Sequence, residues 1–79
     1  MDETQDAFIY PNPATDRFWM SEDCRGSQME IYHLNGSLVI SATIQSKEVD
    51  ISGLDQGIYL VRIFGKDHES ERSFKLIVE

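Results

Sequence analysis

Ser52-Gly53-Leu54-Asp55-Gln56-Gly57-Ile58-Tyr59-Leu60-Val61-Arg62-Ile63-Phe64 is the stretch whose reading decides the fold. Asp55-Gln56-Gly57 is a polar, glycine-bearing turn. Residues 58–64 then alternate, with Tyr59, Val61 and Ile63 on one face and Ile58, Leu60 and Phe64 on the other. Apolar residues on both faces predict a strand covered on both sides, central in a sheet or against a second layer. Asp-x-Gly-x-Tyr at the start of such a strand also has a specific geometry. The tyrosine ring folds back over the turn and its hydroxyl bonds backbone a few residues upstream. Asp55, Gly57 and Tyr59 supply that tyrosine corner.

Outward from this stretch, apolar residues keep alternating in twos, and no helical period emerges. Residues 7–10 form a first short strand, stopped by Pro11-Asn12-Pro13, since proline cannot donate to a ladder and fixes φ near about −65°. Residues 17–20 form a second strand, with Phe18 and Met20 on one face and Trp19 on the other. Residues 28–34 are a third. Asn35-Gly36 is the strongest hairpin signal in the chain, because a type I′ turn needs positive φ at both central residues. Residues 37–45 return as the fourth strand, with Leu38, Ile40, Ala42 and Ile44 on one face. Residues 47–51 are a fifth, turning Val49 and Ile51 inward. Residues 66–71 are a charged connection to a last strand, residues 72–78. About seven short antiparallel strands predict an all-β, immunoglobulin-like sandwich with Greek-key topology. Antibody domains carry an inter-sheet disulfide; here Val61 stands where its second cysteine would fall.

Seventy-nine residues make one domain, with residues 1–6 a linker remnant and residues 7–79 the sandwich. The net charge of −7, from fourteen acids against seven bases, excludes a nucleic-acid partner, which needs clustered Lys and Arg. It also excludes an electrostatic membrane anchor, and no stretch is long and apolar enough to insert as a membrane helix. Cys24 is the single cysteine, so no intrachain disulfide forms. Homodimerisation stays open, including pairing of Cys24 between chains.

No catalytic constellation stands in the sequence, and the chain reads as a non-enzyme with no cofactor or metal. His33 and His68 read as turn and loop histidines. Cys24 lies between acids and Arg25 and reads as an inert thiol. Asp67, Glu69 and Glu71 have the alternation of a calcium loop but lack its glycine and its terminal bidentate glutamate. Trp19, Tyr10 and Tyr32 are candidates for one aromatic sugar-binding face. On the residues alone the chain is a small acidic β-sandwich with a binding or structural role.

Four stretches in order carry a resemblance. They are Tyr10-Pro11-Asn12-Pro13-Ala14-Thr15-Asp16, Ile31-Tyr32-His33-Leu34-Asn35-Gly36, the segment from Val49 through the corner to Arg62, and Lys75-Leu76-Ile77-Val78. Together they resemble the C-terminal sorting domain of type IX (Por) secretion cargo in Bacteroidetes, over residues 10–79. His33 and Ser37 depart from the usual family pattern at the hairpin. The resemblance implies a non-catalytic signal that directs an upstream cargo domain, joined in cis, from the periplasm through the outer-membrane translocon. A cell-surface sortase-like peptidase would then remove it, so its location would be periplasmic in transit and then cell-surface or extracellular. Under this reading Lys75, Leu76, Ile77, Val78 and Glu79 are the recognition candidates, on a last strand whose free edge invites strand addition. Tyr10, Pro11, Asn12, Pro13, Asn35, Gly36, Asp55, Gly57 and Tyr59 are the structural motif. The rival is a carbohydrate-binding or adhesive sandwich retained on a surface protein or hydrolase.

Overall fold

The computed structural model describes residues 9–65 and 71–79. The linker reading of residues 1–6, the first two residues of the expected first strand, His68 and most of the charged connection lie outside the described residues. Among them are Asp67 and Glu69 of the calcium reading.

The strands are β1 (Ile9–Tyr10), β2 (Arg17–Met20), β3 (Gln28–His33), β4 (Leu38–Thr43), β5 (Glu48–Asp50), β6 (Gly57–Phe64) and β7 (Glu71–Val78). They form two sheets, ordered β1-β2-β5 and β4-β3-β6-β7, with every strand pair antiparallel. This is the immunoglobulin arrangement with the fourth strand added to the sheet of the sixth. The inward sets interdigitate between the layers. Phe18 and Met20 of β2, Met29 and Ile31 of β3, Tyr59, Val61 and Ile63 of β6, and Leu76 and Val78 of β7 are all buried, with Val49 and Ile51. Five of these are the period-two sets of the two longest strands, so the alternation in sequence becomes the core directly.

The corner forms as expected. Asp50 Oδ1 accepts the Ser52 N–H at 2.9 Å and the Leu54 N–H donates to the Ile51 carbonyl at 2.9 Å, turning the chain out of β5. The Tyr59 hydroxyl donates to the Asp55 carbonyl at 2.7 Å, and Tyr59 is buried. Gly57 opens β6 at φ 157°, a region side chains disfavour. A Cβ there would meet nothing closer than Tyr59 Cε1 at 3.8 Å, so a substitution costs backbone strain without a clash. Gly57→Val is expected to lower the urea unfolding midpoint by a stability loss of about 1–3 kcal/mol; an unchanged midpoint would show that the corner tolerates a β-branched residue.

Three expectations change. β6 is central in its sheet, between β3 and β7, but its second face is not covered: Ile58 is 41% and Leu60 37% exposed. Two-sided apolar alternation reports sheet centrality here, and the second layer covers one face only. The hairpin after β3 is present, with a different turn. The Gly36 N–H donates to the His33 carbonyl and the His33 N–H to the Ser37 carbonyl, both at 2.9 Å, so Leu34-Asn35 are the central residues. Gly36 follows them at φ 95°, the three-residue loop with a glycine bulge in place of type I′. Asn35 Oδ1 accepts from both the Ser37 N–H and its hydroxyl. Finally, β4 is not one continuous face. Ile31 pairs with Ile40, yet Tyr32 pairs with Leu38, so Val39 is an extra residue. A bulge reverses the alternation. Leu38 therefore sits beside Tyr32 on the outer face, 53% exposed, and does not share the face of Ile40.

Candidate functional site

The last strand, β7, is where the sequence points to recognition. β7 alternates Leu76 and Val78, buried at 0% and 4%, with Lys75, Ile77 and Glu79 facing out. Across the β6–β7 ladder Lys75 lies opposite Leu60 and Ile77 opposite Ile58. The outer face of this end of the sheet is thus an apolar strip of Ile58, Leu60 and Ile77 with Lys75 beside it. Lys75 makes no ion pair with the described residues. Leu76 and Val78 take no part in the surface and set the position of the strand.

The expected free edge is not free along its C-terminal half. The Asn12 amide nitrogen donates to the Lys75 carbonyl at 2.6 Å, and Asn12 Oδ1 accepts the Ile77 N–H at 3.0 Å. The Ala14 N–H then donates to the Ile77 carbonyl at 2.7 Å and the Glu79 N–H to the Ala14 carbonyl at 2.8 Å. Ala14 and Val78 form a parallel bridge. Asn12 offers the donor and acceptor of a peptide group, and its neighbours Pro11 and Pro13 have no N–H to compete. The Pro-Asn-Pro segment, read from sequence as a rigid bend, is therefore also a clamp on β7. Strand addition at residues 75–79 is blocked by hydrogen bonds already made.

The outer face continues towards the hairpin. Tyr32, His33, Leu34, Gly36, Leu60 and Arg62 line a shallow groove of about 310 Å³. Arg62 is held there by Glu71 at 2.7 Å and lies 3.7 Å from Glu30, which accepts a hydrogen bond from the Tyr32 hydroxyl. That hydrogen bond pushes the Tyr32 pKa up, and the pairing with Arg62 holds Glu71 below the usual carboxylate range. His33 stacks at a tilt on Tyr59, 5.1 Å between ring centroids, and so covers the end of the core.

Elsewhere the chemistry is structural. Cys24 packs against the core, and burial pushes its pKa up, away from a reactive thiolate. The ion pair of Arg72 with Glu22 lies at the same small cleft. Asp23 chelates Arg25 with both oxygens, which brings its pKa down to about 2 and fixes the polar loop before β3. The three aromatic residues read as one sugar-binding face are divided. Tyr10 and Trp19 are cross-strand partners in the three-stranded sheet, stacked at 6.3 Å, whereas Tyr32 lies in the other sheet.

A family model described as the secretion system C-terminal sorting domain matches residues 8–79. No curated protein matches the chain. Among solved structures, PorZ of Porphyromonas gingivalis is similar, with 18% identity and a TM-score of 0.73 over 92% of this chain. PorZ is described as an essential bacterial surface component of the type-IX secretion system. The chain spans only 11% of that structure's length, and the likeness establishes the shared fold. The family match takes in the proline clamp, the hairpin, the tyrosine corner and the clamped last strand in one span, and the chain belongs to the secretion system C-terminal sorting domain family, the sorting signals of type IX secretion.

Proposed function

We propose that this domain carries an upstream cargo, joined in cis, from the periplasm through the outer-membrane translocon, and that a surface sortase-like peptidase then removes it. Recognition uses the outer surface of β7: the side chains of Lys75, Ile77 and Glu79, with Leu76 and Val78 fixing them from below. The observation that supports this is the clamp. With the Lys75 carbonyl, both backbone groups of Ile77 and the Glu79 N–H taken by Asn12 and Ala14, side chains are what this strand chiefly presents to a partner.

The experiment must separate recognition from folding. Deleting residues 75–79 removes two core side chains and tests both at once. The double substitution Lys75→Glu with Ile77→Asp changes only outward side chains. It is expected to keep the cooperative urea transition at a cost of about 1 kcal/mol, since Ile77 is half-buried opposite Ile58 and aspartate is a poor strand residue. Cargo fused to it is expected to accumulate in the periplasm. Surface delivery at the unsubstituted level would remove β7 from the recognition surface.

A further inference from the structure

Among the described residues five large apolar side chains are exposed: Tyr10, Leu34, Leu38, Ile58 and Leu60. Scattered singly they would be ordinary; gathered, they mark a contact surface. All except Tyr10 gather at the hairpin end of the outer face of the four-stranded sheet. Strand pairing puts them there. Leu38 lies opposite Tyr32, Tyr32 opposite Leu60 and Leu60 opposite Lys75, one row across β4, β3, β6 and β7. Ile58 and Ile77 are paired beside that row on β6 and β7, and Leu34 borders the groove with Tyr32 and Leu60. Leu38 belongs to the row because the bulge at Val39 turns it outward, and re-aiming a side chain is a common use of a bulge. The apolar surface stops abruptly: the next row, Ser41, Glu30, Arg62 and Ser73, is polar.

Charge at the patch restricts what covers it. Arg62 is taken up by Glu71 at 2.7 Å, with Glu30 at 3.7 Å. The Lys75 ammonium ends the apolar row and makes no ion pair with the described residues. Glu79 stands four residues further along, about 13 Å away in extended chain. The row therefore ends on an unpaired cation, in a chain whose net charge is −7.

We propose that this face docks a partner protein through that protein's aliphatic side chains, one of them seated in the groove of about 310 Å³, with a partner carboxylate set against Lys75 at the end of the row. The inference rests on the sorting reading, which puts Lys75 and Ile77 in a recognition surface. It carries that surface from β7 across the sheet to β4 and the hairpin. A lipid surface does not fit, since an anionic membrane is held by several clustered Lys and Arg and the row offers one. A second copy does not fit either, because it brings another −7. A carboxylate rimmed by aliphatic residues matches both halves of the patch: the apolar rows supply the area and Lys75 fixes the orientation.

The test uses a periplasm-directed reporter joined ahead of the full chain, in cells with an intact type IX system. Leu38→Glu sets a like charge near the partner carboxylate and is expected to lower surface delivery by about tenfold or more, like charges across an interface being strongly disfavoured. Leu38→Lys loses the same apolar contact but attracts that carboxylate, so it is expected to retain clearly more delivery than Leu38→Glu. Gln45→Glu makes the same change of charge outside the patch and is expected to be delivered like the unsubstituted chain. Leu38 and Leu34 are 53% and 68% exposed, so their substitution leaves the core intact. A urea transition of each variant domain checks this, and Leu34→Glu decides if Leu38→Glu folds poorly. A benzophenone side chain in place of Leu38 is expected to give a light-induced adduct with a type IX protein, through a peptide that holds aliphatic residues and Asp or Glu. An adduct with lipid or a second copy alone, equal delivery of Leu38→Glu and Leu38→Lys, equal loss with Gln45→Glu, or undiminished delivery of the folded Leu38→Glu and Leu34→Glu variants would each overturn this inference and leave the sorting reading standing. An unsubstituted fusion that stays in the periplasm would overturn both.

Discussion

Phe18→Ala is expected to leave the chain unfolded at room temperature. Phe18 is fully buried on β2, in the one hydrophobic cluster it shares with the buried residues of β6 and β7. Truncating a buried phenylalanine costs about 3–5 kcal/mol, part transfer energy and part cavity. A domain of this size without disulfide or metal has roughly 3–5 kcal/mol in total. The single change is therefore of the same size as the whole stability, and the expected circular-dichroism signal is that of a disordered chain. A cooperative urea transition retained at most of its original midpoint would mean that the core is larger than the described residues indicate. The same variant fused to a cargo separates two views of the signal. If the folded surface is what the secretion machinery reads, export is lost together with the fold.

The second large effect is expected at a residue that is exposed and uncharged. Asn12→Ala removes two hydrogen bonds to β7, spanning 63 and 65 positions of sequence. Each bond is worth about 0.5–1.5 kcal/mol, and the Ile77 N–H loses its partner. A loss of about 1–3 kcal/mol in urea stability is expected, large for a surface site. Faster amide exchange at Ile77 and Glu79 should accompany it, because the clamp and the Ala14 bridge act on adjacent groups. Asn12→Asp refines the test: it keeps the acceptor for Ile77 but sets a carboxylate against the Lys75 carbonyl, so it should not restore stability. If Asn12→Ala leaves both stability and exchange unaltered, the proline segment serves only as a bend.

These two sites mark what was legible in the sequence. Phe18, Val61, Leu76 and the other core residues follow from period-two alternation, which is local. The tyrosine corner is equally local, since Asp55, Gly57 and Tyr59 fix one another within five residues, and the bond from Tyr59 to the Asp55 carbonyl is where that reading puts it. The hairpin is local in existence but not in type, because Asn-Gly serves both a two-residue loop and the last two positions of a three-residue loop. The bulge at Val39 was hidden, as Leu38, Ile40, Ala42 and Ile44 alternate without interruption in sequence and only the pairing with Ile31 and Tyr32 breaks the series. Exposure of Ile58 and Leu60 was hidden for a related reason: alternation names the two faces of β6 but not which of them meets a second layer. The clamp was out of reach of any local rule. Its partners lie at opposite ends of the described chain, and only the topology that sets β7 beside the β1–β2 connection brings them together.

That topology bears on how the signal is read. Asn12 and Ala14 close the backbone edge where a partner strand would otherwise add, while Lys75 and Ile77 stand outward in register with Leu60 and Ile58. Positions of β7 are thus divided between those that hold the strand and those that show it.

The most direct test of the sorting reading is localisation of a reporter. A reporter with an export signal to the periplasm, fused ahead of residues 9–79, would be followed in cells with an intact type IX system and in cells lacking its translocon. Reporter is expected at the surface or in the medium in the first and in the periplasm in the second. Periplasmic retention in both, with the domain folded, would contradict it.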